Sequence, residues 1–136
     1  MVSFTKRIEI RWRDMDGFGH VNNAVYLTYL EETRDEFYGN LLGEAVHRMV
    51  TRKVEIEFLT GLTQDDDEID VVLEVVAVGA SSVTSRESIV ARSDGRVAAT
   101  AGGVMVHCDE TRSRSQPFPD EERRILEAQL GEEVAR

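Results

Sequence analysis

The sequence predicts an α+β domain in which a bent antiparallel sheet of about five strands wraps one long central helix. Two observations carry this. Only one segment, following Asn23, holds a helical stripe long enough to cover a sheet, whereas the segments before and after it alternate apolar and polar residues at a period of two. The later strands are joined largely by tight turns, which favours antiparallel neighbours.

At 136 residues the chain is read as one domain spanning 1–136, since a single core serves chains of this size. Hydrophobic residues at 41% against 31% charged give an ordinary globular balance, and no apolar run approaches the ~18 residues of a membrane span. The first residues enter a strand pattern directly, without the apolar stretch of a secretory signal, so a cytoplasmic location is expected. A formal net charge of −10 argues against nucleic acid and anionic membranes as partners, because both are polyanions. Cys108 has no second cysteine to pair with and ends an apolar stretch, where a buried thiol is expected.

In order, Phe4 to Arg13 places Phe4, Ile8, Ile10 and Trp12 on one side, with Thr5, Arg7, Glu9 and Arg11 on the other. The helix after Asn22 or Asn23 carries a stripe of Tyr26, Leu27, Leu30, Thr33, Phe37 and Leu41, and Gly39-Asn40 or Gly43 should interrupt or end it. Thr51 to Leu59 alternates again, with Val54, Ile56 and Phe58 facing one way. The run Asp65-Asp66-Asp67-Glu68 lacks the central glycine of a calcium loop and reads as a solvated tip. Ile69 to Val78 is β-branched, Ser81 to Arg92 is a more polar strand, and Ser93-Asp94-Gly95 turns the chain into the small-residue strand Arg96 to Cys108. Its Ala98-Ala99-Thr100-Ala101-Gly102-Gly103 leaves room for a close neighbour. Beyond Pro117-Phe118-Pro119, a short helix over about 120–134 presents Leu126, Leu130 and Val134.

Chemistry is expected in the loop Arg13-Asp14-Met15-Asp16-Gly17-Phe18-Gly19-His20-Val21-Asn22-Asn23, between the first strand and the long helix. A carboxylate there can attack or take a proton, and the helix start offers unpaired amides that favour an anion. Asp14 suits a structural role, bonding loop amides from a strand end. Asn22 and Asn23 suit helix caps, and because an oxyanion role uses a backbone amide, capping and that role are compatible. His20 has no second His or Cys at ligand spacing, so no metal site is expected.

The pattern Asp14-x-Asp16-x-x-Gly19-His20-Val21-Asn22-Asn23-x-x-Tyr26-Leu27, followed by Glu31-Glu32-Thr33-Arg34, resembles the hotdog-fold acyl-CoA thioesterases of the 4-hydroxybenzoyl-CoA thioesterase type. Phe58-Leu59, Ser81-Ser82, the Asp94-Gly95 turn and Pro117-Phe118-Pro119 fall in the order this family shows, so the resemblance covers nearly the whole chain. The chain departs from the family at Gly61, where a proline is common, and at Asp66-Asp67, where a Gly-Asp turn is usual.

The resemblance implies a thioester hydrolase acting on an aromatic or aliphatic acyl-CoA, with Asp16 as nucleophile or general base and the Asn23 backbone N–H polarising the carbonyl. Read from the residue itself, His20 can orient substrate or bond the loop backbone; substrate contacts are expected of Gly19, Val21, Asn22, Tyr26, Ser81, Ser82 and Arg86, and the family's nucleotide site suggests Arg86, Arg92 and Arg96 for the phosphates. The resemblance implies no cofactor beyond the coenzyme A of the substrate, and a homodimer or homotetramer with sites between subunits. Two other readings stand beside it: a non-catalytic acyl-CoA-binding hotdog module, and a hotdog hydratase or dehydratase using His20. Coenzyme A is preferred over an acyl carrier protein because an acidic surface repels an acidic carrier.

Overall fold

The computed structural model describes residues 3–130. Its elements are β1 (Phe4–Glu9), α1 (Asn23–Leu42), β2 (Met49–Phe58), β3 (Glu68–Val78), β4 (Ser82–Ala91), β5 (Val97–His107) and α2 (Asp120–Glu127). Short 3-10 turns occupy Trp12–Asp14, Gly43–Arg48 and Gln64–Asp66. The five strands form one sheet in the order β1-β3-β4-β5-β2, with every neighbour antiparallel. Register shifts at Thr51/Lys53, Val75/Ala77 and Ile89/Val90 act as bulges that curl the sheet around α1. This is the hotdog arrangement.

The helix buries Tyr26, Tyr29, Leu30, Thr33, Arg34, Phe37 and Tyr38. They meet the concave face of the sheet in two clusters, one with Ile69, Val71, Ile89, Ala98 and Ala99, the other with Leu73, Val75, Val83 and Met105. Full burial of a side chain such as Leu30 contributes about 1.5–3 kcal/mol. The expected stripe is corrected at Leu27, which is 43% exposed, while Tyr29, Arg34 and Tyr38 were missed by it. Gly39-Asn40 does not stop the helix either; it runs on to Leu42, and Gly43, at φ +60, ends it in a conformation glycine adopts without steric penalty.

Three further expectations change. Strand β1 stops at Glu9, and Trp12 turns outward in the 3-10 turn, 79% exposed. The Asp65–Glu68 run is not wholly a solvated tip, because Asp66 is buried against Arg96. Helix α2 ends at Glu127, with Leu126 fully buried; Val134 lies outside the described residues. Cys108 is buried, as expected.

The small-residue strand has a specific neighbour. Arg34 of α1 reaches β4, where its Nε and Nη2 donate to Glu87 at 3.1 and 2.7 Å, and the Ser85 hydroxyl donates to the same carboxylate. A Cβ placed on Gly103 would lie 2.6 Å from Arg34 Nη2 and 2.7 Å from its Cζ. Glycine at this position makes room for the guanidinium. Because Glu87 pins Arg34, the clash cannot be relieved by a free swing, and Gly103→Ala should destabilise by about 1–3 kcal/mol, the usual range for overpacking. Urea unfolding of this variant beside the wild type measures the effect; an unchanged midpoint would show that the pair has slack.

Candidate active site

The loop after β1 is closed by its own backbone. Met15 and Val21 form an antiparallel bridge, Asp16 N–H donates to His20 O at 2.7 Å, and Asn22 N–H donates to Asp14 O at 2.9 Å. Gly19 takes φ +84, which a side chain would resist. Val21 N–H donates to Leu62 O at 2.8 Å, tying the loop to the segment after β2.

Asp14 and Asp16 diverge in environment. Asp14 is buried and accepts from the Arg11 backbone N–H at 2.9 Å, the Arg11 guanidinium and the Tyr29 hydroxyl at 2.8 Å. Burial works to raise its pKa, but these donors together hold it below the ordinary carboxylate value. Asp14 is thus the anchor between loop and helix, the structural role expected of it. Asp16 accepts only through Oδ1, from the Phe18 N–H at 2.7 Å and the His20 N–H at 3.2 Å. Those amides, Phe18 first, lower its pKa and keep it ionised. Among the described residues its Oδ2 has no hydrogen-bond partner.

The helix start lies beside it. Asn22 is the N-cap, its Oδ1 accepting from Ala24 N–H at 2.9 Å. Asn23 is the first helical residue, and among the described residues its N–H has no acceptor. Asp16, His20, Val21, Asn23 and Tyr26 line one cavity of about 380 Å³ with Phe58, Leu59, Thr60 and Gly61. Tyr26 is both core and wall: it is buried, packs edge-on against Phe58 at 5.1 Å, and its hydroxyl points to Thr60 O.

The segment after Phe58 was not expected in the site. Its signal was the Phe58-Leu59 pair, two consecutive apolar residues where the alternation of β2 breaks. Gly61 has a reason to be glycine rather than the family's proline: a Cβ there would fall 2.8 Å from the His20 ring. The segment is held by Arg96, which donates to Gly61 O at 2.9 Å and to both oxygens of Asp66.

That pair gives a pH-dependent stability. Arg96, followed by the Thr63 amide and the Ser93 hydroxyl, lowers the Asp66 pKa from 3.8 to about 2. A depressed carboxylate stabilises the fold fully above its unfolded pKa and loses that contribution as pH falls through the folded value. The contribution is about 2 kcal/mol. The stability gap between wild type and Asp66→Asn should therefore shrink from pH 5 to pH 2 in urea titrations; a constant gap would contradict this.

The remaining candidates do not gather at this cavity within the chain. Ser82 pairs with Val106, whereas the cavity is anchored where Leu59 and Thr60 bond Ala98, about 26 Å away along β5 at the usual rise. Ser81, beside Ser82, accepts the His107 N–H through its carbonyl. Arg86 lies on the convex face beside Gly102, 3.7 Å from Glu74. Arg92 and Arg96, expected as phosphate arms, are occupied by Asp70 and by Asp66 and Asp94. Among the described residues, no three His, Cys, Asp or Glu side chains assemble as a metal-binding group.

In this fold one cavity is lined by both an ionised aspartate, Asp16, and the first residue of the long helix, Asn23. The profile of the thioesterase-like superfamily matches residues 10–129. The chain belongs to this family of hotdog-fold thioester hydrolases. It is similar to a thioesterase from Thermus thermophilus, solved with coenzyme A and Zn, at 30% identity and TM-score 0.82 over 91% of each chain. It is also similar to a predicted thioesterase from Bacillus stearothermophilus, at 26% identity and TM-score 0.85 over 95% of this chain and 97% of that one. The uncharacterized protein YsmA of Bacillus subtilis (strain 168) is 27% identical over 127 residues, 91% of this chain and 85% of that protein.

Proposed function

We propose that the protein hydrolyses an acyl-CoA to the free acid and coenzyme A, with Asp16 supplying the attacking or proton-accepting oxygen. The observation that carries this is the pairing in one cavity of an ionised carboxylate with a free oxygen and a helix-start amide without an acceptor. In the reaction the thioester carbonyl carbon lies between the two. Asp16 Oδ2 attacks it to give an acyl-aspartyl anhydride that water then hydrolyses, or takes a proton from water as the water attacks. The charge that builds on the carbonyl oxygen is met by the Asn23 N–H and the positive end of α1. The coenzyme A thiolate leaves without a dedicated acid, and no other cofactor is required. His20 orients the substrate, and Gly19, Val21, Asn22 and Tyr26 contact it.

A homo-oligomer belongs to the same proposal. Strand β2 is a ten-residue sheet edge, hydrogen-bonded to β5 on one side alone, and Phe58 and Leu59 at its end are 43% and 48% exposed. Long unpaired edges invite a second strand, and a second copy along β2 would cover the open side of the Asp16 cavity. The cytoplasmic location is part of the reading; among the described residues no helix is long and apolar enough to cross a membrane.

The test is release of free thiol from a panel of aromatic, short and long acyl-CoAs. Turnover of at least one is expected, and the best substrate defines the acyl pocket. No turnover anywhere, with acyl-CoA still bound, would replace hydrolysis with simple binding.

A further inference from the structure

The wall of the Asp16 cavity that faces the loop is held in place by one side chain from behind it. After Phe58, the last residue of β2 to pair with β5, the N–H groups of Leu59 and Thr60 both turn to a single acceptor, Ala98 O, at 2.8 and 3.1 Å. There the chain leaves the sheet, and ladder hydrogen bonds no longer fix its course. Gly61 follows. Its lack of a Cβ lets the His20 ring lie against the wall, because a Cβ would fall 2.8 Å from His20 Cδ2. Glycine also leaves the backbone free to turn, so a wall built on it needs a restraint from elsewhere.

Arg96, the residue before β5, supplies that restraint. Its Nε donates to the Thr60 hydroxyl at 3.3 Å and its Nη2 to Gly61 O at 2.9 Å. The same guanidinium donates to both oxygens of Asp66, at 3.1 and 2.9 Å, and to both oxygens of Asp94, at 3.0 and 2.9 Å. One planar fork thus joins three segments: the cavity wall, the 3-10 turn at Gln64–Asp66 and the turn between β4 and β5. Thr60 and Gly61 line the cavity, and Arg96 stands behind them. The Asp16 loop is closed separately, by the Met15–Val21 bridge and the Asp16 N–H to His20 O, so it does not depend on Arg96 for its shape.

We infer that Arg96 is a positioning residue for the acyl group: by pinning Thr60 and Gly61 it sets the width of the Asp16 cavity and the place of the His20 ring. The inference rests on the acyl-CoA reading above. Beside Thr60 and Gly61 the cavity is lined by Val21, Tyr26, Phe58 and Leu59, apolar or aromatic side chains suited to a hydrocarbon group. The width of such a pocket decides between acyl groups, since one methylene more or less changes discrimination by about ten- to two-hundredfold. Lysine in place of Arg96 keeps a positive charge against Asp66. Its single nitrogen cannot serve Thr60, Gly61 and Asp66 together as the fork does.

The test is Arg96→Lys, with Asp94→Asn as control, assayed on an acyl-CoA and the matching acyl-pantetheine. In Arg96→Lys, KM for the preferred acyl group should rise about tenfold with kcat within about twofold of wild type, the pattern of lost binding rather than lost chemistry. The rise should be equal for both thioesters, because the wall meets the acyl group and not the nucleotide. Asp94→Asn, which leaves the bonds to Thr60 and Gly61 in place, should match wild type. An unchanged KM in Arg96→Lys overturns the assignment. So does a loss confined to acyl-CoA, which would make Arg96 a phosphate contact, or an equal KM rise in Asp94→Asn, which would trace the effect to the turn. His20 gives a readout that needs no turnover. It is one of three histidines, and its Cδ2–H resonance in carbon–proton NMR spectra should shift in Arg96→Lys as Gly61 moves from the ring, while those of His47 and His107 hold and report an intact fold. An unmoved His20 resonance overturns the positioning whether or not any thioester is hydrolysed. A moved one, in a protein that hydrolyses no thioester, upholds the hold on the wall and rejects hydrolysis alone.

Discussion

Alanine in place of Glu87 should remove about 3–5 kcal/mol of stability, the largest loss expected from any single substitution away from the active site. Glu87 is fully buried and Arg34 is 3% exposed, so the variant strands a guanidinium inside the barrel of sheet and helix with neither water nor a counter-charge. The Ser85 hydroxyl loses its acceptor as well. Desolvation makes the intact pair a modest stabiliser, yet half of it a large liability. The expected signature is therefore non-additive. Arg34→Met with Glu87→Leu should cost much less than the two single changes summed, and thermal or urea unfolding of all four proteins measures the difference. A Glu87→Ala variant within about 1 kcal/mol of wild type would show that Arg34 finds another partner.

Asp16→Asn should lower kcat by about 10²–10⁴-fold, the span associated with a positioned acid-base group. The substitution is nearly isosteric, and the amide oxygen can still accept from the Phe18 and His20 N–H groups that shape the loop. What disappears is the negative charge at Oδ2. Binding of acyl-CoA should survive, because the cavity walls and the Asn23 amide do not depend on that charge. The wild-type rate should also hold to low pH, since the Asp16 carboxyl is depressed below 3.8 and stays ionised where an unperturbed aspartate would begin to protonate. A loss of rate in Asp16→Asn accompanied by unfolding would assign the residue to the loop instead.

The strands, the long helix and the loop between them were legible because each rests on local signals. Period-two alternation, the Asn22 cap and the Asp94-Gly95 turn each act over a few residues. What the sequence hid depends on pairing across distance. Glu87 shares the inward register of Val83 and Ile89 on β4, which flags it as a buried charge, but nothing local names Arg34 as its partner 53 residues away. Arg96 resembled a free phosphate arm until the fold placed Asp66 against it, and the same contact removed Asp66 from the solvated run. Tyr29 and Tyr38 were missed in the helical stripe because the curled sheet wraps more of α1 than a single apolar stripe suggests. The Asp16 loop lies in one stretch of sequence between strand and helix, whereas the opposite wall of its cavity, Phe58 to Gly61, comes from a segment that only the sheet brings near.

The most direct test of the account is the kcat of wild type and Asp16→Asn on the best acyl-CoA of the panel, with folding and substrate binding checked on both. Turnover by wild type, lost in a variant that still folds and binds, is the predicted result and assigns the chemistry to Asp16. Equal turnover by the two proteins would contradict it, and the attacking group would then have to be sought elsewhere in the cavity.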